Sequence, residues 1–127
     1  FNLFTDKKET QPNRVTNLDF LIESIGGKSN VIAETIDIFL DQMPQDLGAL
    51  NEGIKQNDFA AVKSYAHKMK STASLIGMKE VEVILAEMET LAAEKRGIDQ
   101  LEILKEPLNE LCKRAIEEMK EEKLKYL

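Results

Sequence analysis

From residue 16 onward the apolar residues recur at intervals of three and four, the spacing of one face of an α-helix. The clearest run is Ile32, Ile36, Phe39, Met43, Leu47, Leu50 and Ile54. Its phase passes unbroken through Pro44, which removes one backbone donor and predicts a single long kinked helix rather than two. β-branched residues never alternate cleanly with polar ones, so the pattern holds no strand signal. The fold class is all-α.

The other helices follow by the same reading. A short first helix carries Leu18, Leu21, Ile22 and Ile25, with Thr16 as its expected cap and Gly26-Gly27 as its end. After the long second helix, Asn57-Asp58 forms a turn with Asp58 as N-cap. The third helix presents Phe59, Val62, Ala66, Met69, Ala73 and Ile76, and stops at Gly77. The fourth is expected from Lys79 to Arg96 on Val81, Leu85, Met88 and Ala92, with Gly97 as its stop. Asp99 and Glu102 predict a capping box for a fifth, whose stripe is Leu101, Leu104, Leu108, Leu111, Ala115 and Met119. Four long amphipathic helices with short connections predict an antiparallel up-down four-helix bundle, with the short extra N-terminal helix packed against it. That domain spans residues 16–127. Residues 1–15 are polar, contain Pro12 and read as a linker or flexible tail.

Composition sharpens this by exclusion. The chain has 127 residues, enough for one domain with its own core. A single cysteine, Cys112, rules out a disulfide framework, and a single histidine, His67, rules out sites needing two imidazoles. The net charge of −6 argues against nucleic acid as a partner. No apolar run reaches the ~18 residues of a membrane span, and no signal peptide is visible. No direct membrane contact is expected, and the protein is expected to be a cytoplasmic monomer. The chain begins at Phe1 rather than Met, which suggests a piece of a longer protein.

Most candidates for chemistry fall to simpler readings. Gly27-Lys28-Ser29 resembles the end of a phosphate-binding loop, but that motif needs glycine where Ile22 stands. Cys112 lies beside the core stripe and reads as a buried, inert thiol. The five methionines lie mostly at core spacing. Glu117, Glu118, Glu121 and Glu122 alternate with lysines, so they read as a solvated helix end rather than a cation site, and no metal ligand set is expected.

His67 is different. It sits one residue off the inner stripe of the third helix, about 100° round from Ala66. Lys63, Ser64, Lys70, Ser71 and Ser74 surround it at helical spacing, so its face is polar and small residues follow it. Imidazole is neutral and nucleophilic near pH 7. Residues 59–79 contain Lys63, Lys68, Lys70 and Lys79 and no carboxylate. The overall −6 is therefore +4 in this segment set against −10 elsewhere. A lysine one turn from the histidine can neutralise an added phosphoryl group.

The segment Ala66-His67-Lys68-Met69-Lys70-Ser71-Thr72-Ala73-Ser74-Leu75-Ile76-Gly77 resembles the signature of histidine-containing phosphotransfer (HPt) domains. The likeness covers most of residues 16–115, including the Phe39 to Pro44 stretch and the Gln56-Asn57-Asp58 turn. It implies a phosphorelay module in which His67 accepts a phosphoryl group from a receiver-domain phospho-aspartate and passes it to another receiver aspartate. Lys70 matches the lysine expected to stabilise that group, and Gly77 the glycine that closes the helix. The docking surface is expected on Lys63, Ser64, Lys68, Ser71, Ser74 and Gly77. Such domains bind no ATP and carry no cofactor of their own; the receiver supplies Mg2+. Response-regulator receiver domains are the expected partners, and the domain is expected either as a free-standing protein or as the terminal domain of a hybrid sensor histidine kinase. Ser71 stands where many members have glycine, which narrows access slightly and implies a changed partner preference or rate. Glu82 and Glu89 are equal candidates for the side chain from the next helix that holds the far nitrogen of the imidazole. The competing reading is a non-catalytic docking bundle that uses the same basic face.

Overall fold

The structure is a computed structural model, and it describes residues 14–127. Residues 1–13, most of the expected linker, lie outside the described residues. Among the described residues every regular element is helical: α1 (Asp19–Ser24), α2 (Ser29–Lys55), α3 (Phe59–Leu75), α4 (Lys79–Ala93) and α5 (Ile98–Lys123), followed by a 3₁₀ turn at Leu124–Tyr126. The long helices pack in cyclic order, α2 on α3, α3 on α4, α4 on α5 and α5 back on α2. α2 runs through Pro44 and α5 through Pro107 as single helices. Both prolines are exposed, so the carbonyl each leaves without its helical donor lies on the wet side of the bundle.

The apolar stripes become the core. Ile32, Ile36, Phe39, Met43, Leu50 and Ile54 of α2 meet Val62, Ala66, Met69 and Ala73 of α3. Val81, Leu85, Met88 and Ala92 of α4 and Leu101, Leu108, Ala115 and Met119 of α5 complete the cluster. All five methionines are buried. Each large apolar side chain closed off in this way stabilises the fold by roughly 2 kcal/mol. Cys112 lies in the same cluster, and burial pushes its thiol up to about 12.

Four helices end in the same way. At α1, α2, α3 and α4 one amide bonds three residues back and the next bonds five residues back, through Gly26, Asn57, Gly77 and Lys95 in the left-handed region. This moves two expected boundaries. α4 ends at Ala93 instead of Arg96, because Lys95 (φ 51°) takes the left-handed position despite its side chain. α5 begins at Ile98 with Gly97 as its N-cap, so Asp99 lies in the first turn and is not the cap. Glu102 pairs forward with Lys105 at 2.9 Å rather than closing a capping box. Asp58 does cap α3, accepting from the Ala61 amide.

The N-terminal segment departs furthest from expectation. Thr16 does not cap α1; Asn17 Oδ1 accepts the Asp19 amide instead. Thr16 is buried, and Glu118 of α5 accepts from its amide, from its hydroxyl and from the Val15 amide. Arg14 pairs with Glu122 at 3.3 Å. Arg14 and Val15 are therefore strapped to the bundle, and Glu118 and Glu122 serve as its anchors rather than as a purely solvated helix end. The strap reaches the end of α3 through the Asn17 amide, which donates to the Ile76 carbonyl.

Candidate functional site

The rotation of α3 is set by its buried side, where Val62, Ala66, Met69 and Ala73 are closed to solvent. His67 must then point outward, and its side chain is 69% exposed. On α4, Glu89 follows the buried Met88 just as His67 follows Ala66, so the two lie at the same offset from their stripes. Glu89 Oε2 lies 2.9 Å from His67 Nδ1, and Lys70 Nζ donates to Oε1 of the same carboxylate at 2.8 Å. This resolves the choice between Glu82 and Glu89. Helices joined by a short turn place equal offsets from that turn side by side. Glu89 lies about as far beyond Gly77 as His67 lies before it, whereas Glu82 sits near the turn.

The electrostatics select one imidazole tautomer. The Lys70 ammonium, through its hydrogen bond, holds the Glu89 carboxyl below the usual glutamate range; burial opposes this and the His67 contact adds to it. An ionised carboxylate can only accept, so Nδ1 carries the ring proton. Nε2 is left with its lone pair on an exposed ring, the state a nucleophile needs.

The basic face is less basic than its own residues suggest. Lys68 reaches α2, where Asp46, a buried carboxylate, accepts from it at 3.2 Å. Lys70 is taken by Glu89. Among the described residues, Lys63 and Lys79 alone of the four lysines have no ion pair. A segment's charge count omits the acids that facing helices bring to it. Asp46 gave no sequence signal, because the stripe read from the chain passes through its neighbour Leu47, which is only partly buried while Asp46 is closed off.

Ser71 and Ser74 are exposed beyond His67, but a groove of about 530 Å³ opens against Ala60, Lys63, Ser64, His67 and Glu89. It lies on the N-terminal side of the ring because helical side chains lean over the preceding turn. Lys63, Ser64, Lys68, Ser71 and Ser74 are all exposed on α3. Gly77 is placed otherwise than expected of a docking residue. It lies at the far end of α3, roughly 15 Å along the helix axis, and is packed under Asn17. Its φ is +70°, and a Cβ there would collide with the Asn17 carbonyl oxygen. The residue closes the turn and admits the strap. Among the described residues no group of three or more His, Cys, Asp or Glu side chains converges as a metal site would require.

No helix among the described residues is long and apolar enough to cross a membrane. Comparison with curated proteins and with solved structures returns no match. The model of the Hpt domain family matches residues 34–122, more than half of the chain, a span that contains His67, Lys70 and Glu89 and leaves α1 and the strap outside it. The chain therefore belongs to the Hpt domain family and has a phosphotransfer role in two-component signalling.

Proposed function

We propose that His67 is the phosphoryl acceptor of a phosphorelay, taking its group from a receiver phospho-aspartate and delivering it to the aspartate of a second receiver. One observation carries this reading: an exposed imidazole whose Nδ1 is held by Glu89, so that Nε2 faces outward as the free nitrogen. In the forward step Nε2 attacks phosphorus and the N–P bond forms. The acyl-phosphate P–O bond breaks, and its electron pair remains on the receiver aspartate as carboxylate. The ring becomes cationic, and ionised Glu89 sits against its Nδ1–H. Delivery is the reverse of this step onto a new carboxylate. Lys70, held on Glu89 at 2.8 Å, keeps that carboxylate ionised beside Nδ1 and so steadies the phosphorylated imidazole. Mg2+ would be the receiver's contribution. The long helices, read as an antiparallel up-down bundle, give His67 a rigid mount, which suits a reaction governed by positioning.

The test is covalent. The protein is incubated with receiver domains carrying radiolabelled phospho-aspartate, and acid-labile, alkali-stable label is sought on it. His67→Gln is expected to lose all label while retaining its helical circular dichroism. Label persisting in that variant overturns the assignment. Binding of a receiver without label on the unaltered protein establishes the docking-bundle reading instead.

A further inference from the structure

The groove beside His67 needs positive charge that Lys70 does not supply. Lys70 and Glu89 form a 2.8 Å ion pair that cancels their charges, and His67, on the same carboxylate, attacks only as an uncharged ring, so the three groups bring no net positive charge to the attack. A transferring phosphoryl group brings nearly two negative charges. Fixed positive charge where that group passes is the usual source of catalysis in such transfers. Lys68 is paired with Asp46. Lys79 lies beyond the C-terminal end of α3, while His67 lies near the middle of that helix.

Lys63 is placed otherwise. It is exposed, has no ion pair among the described residues, and lines the same groove as His67. It precedes His67 by four residues, so their Cβ atoms are about 5–6 Å apart on one helix face. The imidazole leans over the turn that carries Lys63 and Ser64. A four-carbon stem lets the ammonium follow a phosphoryl group between its two bonded positions.

We propose that Lys63 is a catalytic residue whose ammonium contacts the phosphoryl oxygens during transfer, while Lys70 acts chiefly through Glu89 as a positioning residue. The inference rests on the phosphotransfer reading and adds a division of labour between the two lysines. No bond to Lys63 forms or breaks.

Single-turnover transfer from a radiolabelled phospho-receiver is measured over a range of receiver concentrations for the unaltered protein, Lys63→Met and Lys63→Arg. Lys63→Met is expected to lower the limiting rate at saturating receiver about tenfold, with the half-saturating concentration within about twofold. Lys63→Arg is expected to recover most of the limiting rate, because charge rather than shape is needed. An unchanged limiting rate with a raised half-saturating concentration makes Lys63 a docking contact only and overturns the proposal. An unchanged rate and concentration overturn it as well. In both cases the unaltered protein still transfers, so the phosphotransfer reading stands. Failure of the unaltered protein to take label from any receiver of its own organism overturns both.

Discussion

Glu89 and Glu118 invite comparison. Each flanks a buried methionine, Met88 or Met119, and each is half-buried and hydrogen-bonded to a distant element. Their donors differ. Glu89 holds the tips of two side chains, Lys70 and His67. Glu118 holds two backbone amides and a hydroxyl of the strap. Side-chain tips can exchange partners while the backbone stays in place, as a reaction cycle requires. Backbone amides cannot leave without moving the chain. The same residue type in the same pattern thus makes a working site in one place and a structural seam in the other.

The seam is where substitution costs most stability. Gly77→Ala puts a Cβ against the Asn17 carbonyl and places alanine at φ +70°. A loss of about 3 kcal/mol is expected in denaturant unfolding. Glu118→Ala leaves the Val15 and Thr16 donors without their acceptor and should cost about 2 kcal/mol. Both variants should keep the phosphotransfer rate of the unaltered protein at temperatures where they remain folded. A Glu118→Ala protein of full stability but slowed transfer would erase the distinction between seam and site.

Glu89→Gln is the reciprocal experiment. The amide oxygen can still accept from Nδ1, but the charge that Lys70 neutralises is gone. Transfer is expected to slow about tenfold, with stability within about 0.5 kcal/mol. Nitrogen NMR of the His67 ring gives the independent readout: the Nδ1–H tautomer should dominate in the unaltered protein and lose its dominance in the variant.

The contrast also explains what could be read from the chain beforehand. Stripes such as Ile32 to Ile54 were legible because burial of a helix face is a local, periodic signal. His67 was legible because its offset from Ala66 depends only on helix geometry. The cap of α1 and the C-terminal end of α4 were not. Lys95 in the left-handed region carries no glycine signature, and the partner of Thr16 lies about a hundred residues away at Glu118. The same blindness made α3 look more basic than it is, since Asp46 and Glu89 come from other helices.

The smallest effect separates the two lysines directly. The folded state favours ionised Glu89, with Lys70 as the main cause. The stability this contributes is complete above the ordinary glutamate range and is lost as pH falls through the lowered folded value. Carboxyl carbon NMR should therefore show Glu89 titrating below ordinary glutamates. Lys70→Met should move that midpoint upward, since burial then acts against His67 alone. Lys63→Met should leave it in place, because Lys63 lines the groove without pairing to Glu89. Should both substitutions move Glu89 equally, the two lysines act on one carboxylate, and the division between a positioning lysine and a phosphoryl-contacting lysine fails.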